Sequence, residues 1–510
     1  MKLLTQTHDD ARRALERSQM RRLRTYLKDT VLPFSARYGR LFEREKIAVS
    51  DLRRYVDLAA IPLTSKRDLL NTAKSPKRAR DFVLVPDREV LARRPSTIAR
   101  AMLRGKKHVG RRFEHEFRPL MMTSTTGRSA DPVPFLFTAH DIENLTLTGR
   151  RLMEICDSRP EFRHVNMFPF APHLAFWQTH YAGIGFNVFC VSTGGGKVMG
   201  TDGNVRMIEK IDPDALIGMP TFIYHVLEQA VAEDVHLGNI KRIVLGGEKV
   251  PEGMRRKLKA LAARLGSGRV HVLATYGFTE SKTAWTECPT SSGEGPSGYH
   301  LYPDLGIVEV VDPDTGRPMR EGEPGEIVYN PLDSRGSVVI RYRTGDRIDG
   351  GINYSPCPHC GRRLPRLVGN ISRVSEMRSM QFDKIKGTLV DFNELEHALD
   401  DYAPIGAWQI ELRKVGDDPL ELDELVVHVH RADANVDRAA IEREIAGRML
   451  RCAEIRPNRV DFHDAEEMRT LHGVGEVLKE EKVVDHRPQA RARSARVRPG
   501  ATSGREGALQ

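Results

Sequence analysis

The chain has 510 residues, 40% of them hydrophobic and 29% charged, which excludes both a wholly disordered polymer and a single small domain. Its formal net charge of +10 is unevenly placed: residues 1–112 carry +17, residues 488–510 carry +4, and the stretch between carries −11. An acidic body with basic ends is not the uniformly basic surface of a nucleic-acid coat.

Residues 9–30 predict a helix, because Leu15, Met20, Leu23 and Leu27 recur at helical spacing among arginines. Segments 48–58 and 64–72 predict short helices, the second capped by Thr64 or Ser65. Residues 74–118 are rich in Arg and Lys without a clear period and read as helical decoration or as a loop. The body then alternates. Apolar runs at Leu216–Met219 and Ile243–Leu245 predict strands, and helical patterns at 141–155, 221–233 and 251–265 lie between such runs. That alternation predicts α/β architecture with a mainly parallel sheet. From about residue 305 the texture changes to short strands, GIVEVVD, GEIVYN and VVIRYRTGD. Beyond about 375 a smaller region is predicted, with helices at 392–401 and 436–450 around a β-rich stretch at 405–431. The tail after Arg487 is rich in Pro, Gly, Ser and Arg and is predicted to be disordered.

Six cysteines in this length make no disulfide scaffold, and the opening MKLLTQTHDDARR lacks the apolar core of a secretory leader. The most apolar stretch, 165–193, is broken by Pro169, Pro172, His173, Gln178 and His180. A cytoplasmic, reducing setting without a membrane span is expected.

Four motifs carry the chemistry. MTSTTGRS at 122–129 is a run of small hydroxyl residues and Gly whose N–H and hydroxyl groups suit a polyphosphate, with Arg128 to neutralise it. Then come GGE at 246–248, YGFTE at 276–280 and YRTGD at 342–346. Their order and spacing resemble the adenylate-forming superfamily of acyl-CoA synthetases, adenylation domains and luciferases. IPLTSKRDLL (61–70), THYAGIGFNVFCVSTGGG (179–196), MPTFIYHVLEQA (219–230) and LKEEKVVDHR (478–487) resemble the phenylacetate–CoA ligase group in particular. The resemblance implies a large multi-layered N-terminal adenylating domain with parallel sheets and a small α+β C-terminal domain. It divides the chain into a basic helical part (1–118), a core (119–373), a small mobile domain (374–487) and the tail (488–510).

It also implies a two-step reaction. A small carboxylic acid attacks the α-phosphorus of ATP to give an acyl adenylate and pyrophosphate, and coenzyme A then takes the acyl group. An acyl carrier protein or an amine is the alternative acceptor, and a degenerate adenylate-binding scaffold is the alternative of another class. Nucleic acid is not expected as a partner. By the resemblance, Thr123, Ser124, Thr125, Thr126, Gly127 and Arg128 form the phosphate loop, with Ser124 and Arg128 replacing the usual Gly and Lys. Tyr276 stacks near adenine beside Gly277, Thr279 meets the α-phosphate, and Glu280 ligates Mg²⁺, a hard cation suited to a carboxylate beside phosphates. Gly246, Gly247 and Glu248 line the base, and Asp346 holds the ribose hydroxyls. The hinge departs from the family's pattern, leaving Arg373, with Arg366 as runner-up, for the ribose. Lys479, with Lys482 as alternative, is the lysine expected beside the reacting carboxylate. Phe170, Trp177, His180, Tyr181 and Phe222 are expected at the pocket of an aryl or other apolar acid.

Cys357-Pro-His-Cys360 followed by Gly reads as a zinc knuckle that needs two more ligands. Cys288 and His300 are the candidates, with His359 less favoured. Cys156, Cys190 and Cys452 read as core.

Overall fold

A computed structural model describes residues 2–71, 77–125, 132–291, 294–373, 384–385, 388–389, 392–414, 423–433, 435–453, 455–474 and 481–486. The chain forms two compact units, 1–379 and 380–510.

In the first unit the expected amino-terminal helix runs Lys2–Tyr26 and continues as a π-type turn, Leu27–Val31. Its apolar side, Met20, Leu23 and Leu27, is buried with Tyr38, Phe82, Phe135 and Val339 in one core. The Arg/Lys-rich stretch resolves into helical decoration: Arg88–Ala92, Pro95–Arg104 and Lys106–Phe117. Only Leu91, Thr97, Val109 and Phe117 of these helices are buried. So few inward positions leave a weak periodic signal. The segment 48–58 forms 3-10 turns instead of an α-helix. At 64–72 the helix shrinks to Lys66–Leu69, where Ser65 and Asp68 form a capping box.

Strand β1 (Pro119–Ser124) pairs antiparallel with β2 (Pro134–Thr138). The main sheet has nine strands. Its parallel part contains β3 (Arg163–Asn166), β4 (Phe189–Ser192), β5 (Ala215–Gly218), β6 (Arg242–Leu245) and β7 (His271–Phe278), in the spatial order β4-β3-β5-β6-β7. Strands β5 and β6 are buried at every residue, as sheets covered on both faces require. Helices Leu174–Phe186, Gly196–Ile211, Pro220–Ala232 and Glu252–Arg264 make the crossovers. Four antiparallel strands extend the sheet beyond β7. These are β8 (Thr283–Thr286), β9 (Tyr299–His300), β13 (Ile352–Asn353) and β14 (Arg366–Leu367), in the order β8-β9-β14-β13.

The chain enters the parallel part at β3, moves to β4 on one side, then crosses to β5 on the other. Strand order therefore reverses at β3, and the carboxyl ends of β3 and β5 bound the crevice where open α/β sheets bind ligands. A separate antiparallel sheet contains β10 (Gly306–Val311), β11 (Gly325–Pro331), β12 (Tyr342–Ile348) and β15 (Ile371–Arg373). The third expected strand begins only at Tyr342, because 338–341 turn inward into the helical core.

In the second unit, short strands β16 (Lys384–Ile385) and β17 (Thr388–Leu389) pair as a hairpin. Strands β18 (Ile405–Lys414), β19 (Asp423–Arg431), β20 (Arg459–His463) and β21 (Val483–Asp485) form a sheet in the order β20-β19-β18-β21. Helices Phe392–Asp400 and Arg438–Ala453 cover one face, burying Leu395, Leu399, Ile441, Ile445 and Met449 against Trp408, Ile410, Val427 and Val429.

Candidate active site and a soft-ligand cluster

The loops at the carboxyl ends of the parallel strands bring the motifs together. The end of β1 is held over the loop after β3: the Ser124 amide donates to the Pro172 carbonyl, and the Ser124 carbonyl lies 3.0 Å from His173 Nδ1. The Thr279 hydroxyl, just past β7, reaches the same Ser124 carbonyl at 3.5 Å. Thr125 closes the loop base, its amide donating to Val133 O and its hydroxyl accepting from the Val133 amide. Thr126, Gly127 and Arg128 lie outside the described residues.

Gly246 and Gly247 follow β6. A Cβ on Gly246 would sit 2.4 Å from Thr275 Oγ1, and Gly247 has φ +84°, so this turn admits no side chain at either position without displacement or strain. The Glu248 carboxylate accepts from the Thr221 hydroxyl at 2.9 Å, tying the loop after β6 to the helix after β5.

Tyr276 and Asp346 are 70 residues apart in the chain yet bonded: the Tyr276 hydroxyl donates to the Asp346 carboxylate at 2.9 Å. Asp346 also stands opposite Arg373 in the β12–β15 register. The Tyr342 hydroxyl, from the same YRTGD motif, donates to the Glu280 carboxylate at 2.6 Å, and both residues are buried. Behind them Lys282, in the left-handed conformation at φ 57°, donates to Asp141 Oδ2 and to the Arg335 carbonyl, each at 3.0 Å. Burial holds the Lys282 ammonium below its ordinary pKa, opposed by Asp141. Asp141 also caps the helix Ala139–Ile155 through a capping box with Thr138. Motif reading missed Tyr342, His173 and this lysine–aspartate pair. Tyr342 was within reach, because it opens a quoted motif, whereas the Lys282–Asp141 pair leaves no local signal.

Among the described residues, Thr123 Oγ1, His173 Nε2 and Glu248 Oε1 are buried side-chain atoms without a hydrogen-bond partner. Sixteen such atoms occur among the described residues, so these three suit a polar ligand at these loops without marking its place by themselves. Phe170, Phe176, Trp177, His180 and Tyr181 form a run of rings with neighbouring centroids 5.1–6.4 Å apart. Phe170 is 65% exposed at its edge, whereas Phe222 is buried on a different element, the helix after β5.

The comparisons with known proteins agree with this geometry. Residues 170–331 match the family model of the AMP-binding enzymes. The chain is similar to a phenylacetate–coenzyme A ligase of Thermus thermophilus, 25% identical over 82% of this chain and 81% of the relative. The Escherichia coli phenylacetate–coenzyme A ligase is 23% identical over 78% of each. Among solved structures, a 2-hydroxyisobutyryl-CoA ligase in the postadenylation state aligns with TM-score 0.69 and 19% identity, over 94% of this chain and 92% of that one. The structural likeness shows that the chain shares the fold of that ligase.

The runner-up for the ribose contact is engaged elsewhere in the first unit. Arg366 is buried on β14, where it donates to the backbone of Ser297 and Ser355 and to Asn353. In the second unit Lys482 is likewise occupied, 3.2 Å from the buried Asp400 carboxylate and over the Trp408 ring. Lys479 and the Arg373 side chain lie outside what the structure describes.

On the antiparallel wing of the main sheet, Cys288, His300, Cys357 and Cys360 converge, with one ligand atom from each within 4.8 Å of the others. Cys288 Sγ and Cys357 Sγ are 3.6 Å apart, and Cys360 Sγ is 3.7 Å from His300 Nε2. For the Cys357 thiol, desolvation opposes ionisation. Hydrogen bonds from Ser297 and from the Cys360 and His359 backbone outweigh it and pull the pKa down to about 6. Burial drives the Cys288 thiol the other way, and burial together with Arg366 pushes His300 down to about 4. His359 Nδ1 faces Glu294 at 3.1 Å, outside the four-ligand group. Cys156 is buried, and Cys190 and Cys452 are partly so.

Proposed function

We propose that the protein is an AMP-forming ligase that joins a carboxylic acid to coenzyme A through an acyl adenylate. The observation carrying this reading is the pair of contacts that tie the motifs together, Thr279 to the Ser124 carbonyl at the end of β1 and Tyr276 of β7 to Asp346 of β12. In this reading Thr123, Ser124, Thr125, Thr126, Gly127 and Arg128 hold the phosphates. Gly246 and Gly247 let adenine lie close to the backbone, flanked by Tyr276 and Gly277. Asp346, oriented by Tyr276, accepts from both ribose hydroxyls, with Arg373 nearby. Thr279 donates to the α-phosphate, whose negative charge grows as the acid attacks. Glu280, oriented by Tyr342, fits a Mg²⁺ ligand, and that ion would offset the repulsion between carboxylate and triphosphate. Lys479 supplies a cation at the reacting carboxylate. The aromatic run from Phe170 to Tyr181, together with Phe222, favours an aryl or other apolar acid.

The four soft ligands fit a structural Zn²⁺ site. Three thiols and a neutral imidazole converge in a buried space, and bringing thiolates so close requires a cation to compensate them. The six cysteines form no disulfide, which suits a reducing, cytoplasmic setting. No helix among the described residues is long and apolar enough to cross a membrane.

Pyrophosphate release against a panel of carboxylic acids, with and without coenzyme A, tests the reading. Acid-dependent release followed by thioester formation is the expected result. Release without thioester transfers the proposal to a carrier-protein or amine acceptor, and no release with any acid favours a scaffold.

A further inference from the structure

The second unit holds a cluster that the ligase reading does not use. On the sheet face opposite its helical core, His428 of β19 stands opposite Gln409 of β18 and Asp461 of β20, while His463 stands two residues farther along β20. His428 Nε2 lies 3.1 Å from Glu411 Oε2, and His428 Nδ1 lies 3.0 Å from His463 Nε2. His463 Nδ1 lies 3.3 Å from Glu467 Oε2. The four residues form a chain, carboxylate–imidazole–imidazole–carboxylate.

The protons along that chain do not balance by themselves. A carboxylate can only accept, so each imidazole places its N–H outward, His428 toward Glu411 and His463 toward Glu467. The two inner nitrogens then face each other as lone pairs 3.0 Å apart, which is repulsive unless an electrophile joins them. One candidate is an extra proton. The other candidate is a metal ion. Asp461 supports it, because a carboxylate oxygen and one nitrogen from each histidine all lie within 4.8 Å of one another. Metal-bound histidines characteristically give their second N–H to a carboxylate, which is the arrangement of Glu411 and Glu467 here.

We propose that His428, His463 and Asp461 bind a divalent transition-metal ion of the zinc type, with Glu411 and Glu467 orienting the two imidazoles. Two imidazoles and a carboxylate suit zinc and its first-row neighbours better than magnesium or calcium. Three protein ligands leave a fourth position open to water. Arg459 pairs with Asp461 at 2.7 Å and holds that carboxylate in place. His463 ends β20 directly before the helix Ala465–Leu471, whose cap is Asp464 with Glu467. The ion therefore joins β19 to β20 at the point where that helix begins.

The test uses the untagged full chain, stripped with a chelator and titrated with Co²⁺. In the wild type, bound cobalt is expected to rise to two equivalents while the thiolate charge-transfer band saturates after the first. His463→Asn, on a partly exposed residue, should remove one equivalent and leave the thiolate band intact. His428→Asn should do the same. A wild type whose bound cobalt stops when the thiolate band saturates overturns the proposal without any variant. So does a folded His463→Asn chain that binds as much cobalt as the wild type. Should the cysteine cluster take no metal, the sulfur-free equivalent still appears alone, so the two sites succeed or fail separately.

Discussion

The first unit contains two polar clusters that solve the same problem, burial of charge, in opposite ways. Around the nucleotide motifs, acceptors already have donors of their own: Tyr276 serves Asp346 and Tyr342 serves Glu280. Hydroxyls hold these carboxylates in position before any ligand arrives, and a ligand needs only to add to them. In the cysteine cluster three thiols and an imidazole face one another, and among the contacts at Cys357 and Cys288 the one hydroxyl donor is Ser297. Such a cluster is coherent as thiolates only around a cation. The nucleotide cluster should therefore fail in catalysis when broken, and the cysteine cluster in stability.

The sharpest break is expected from Lys479→Ala, which should abolish acid-dependent pyrophosphate release while the far-UV dichroism stays unchanged. Full retained activity would sink the assignment of that lysine. Asp346→Ala should lower the same rate by about 10²–10³-fold, the scale for removing one preorganised polar group, with the zinc content unaltered.

On the other side of the comparison, Cys360→Ser should release zinc by elemental analysis and cost on the order of several kcal/mol in denaturant unfolding. A chelator should reproduce that loss in the wild type. If neither shifts the unfolding midpoint, the cluster is not a structural metal centre. Arg255→Ala probes buried charge without any metal. Arg255 makes a bidentate pair with buried Glu287 at 2.9 Å, and leaving that carboxylate with the Ala274 amide but no cation should cost about 3–5 kcal/mol. An effect below the noise of a melting curve would show that water reaches Glu287.

The smallest effect is expected from Tyr276→Phe, which removes one hydrogen bond to Asp346, worth about 1 kcal/mol. It should appear as a roughly fivefold rise in KM for ATP with little change in kcat. A large fall in kcat instead would mean that the hydroxyl acts in the transition state.

Much of the site was legible because its chemistry is local. Small hydroxyl residues before β2, glycines after β6 and a Thr-Glu pair after β7 are sequence features that survive without knowledge of the fold. The parallel strands were legible for a similar reason, since burial on both faces makes Leu216 and Ile243 part of continuous apolar runs. The basic helices at 88–117 were not, because each buries one or two side chains and so shows no period. The CxxC at 357–360 announced two soft ligands by spacing, while the other candidate pair, Cys288 and His300, came from their place just after YGFTE and from the resemblance to the phenylacetate–CoA ligase group.

By itself, then, the sequence determined the motifs, the alternation of strands and helices, and the residue types available for each chemistry. Tertiary structure alone decided which of them meet. Tyr276 reaches Asp346 because two strands of different sheets, β7 and β12, come within side-chain reach, and Lys282 finds Asp141 only because the turn after Glu280 lies on the capped helix. His428 and His463 face each other because two parallel strands pair in one register and not the next. A slip of one residue would turn each of these side chains to the opposite face, and no local pattern in the chain records that choice.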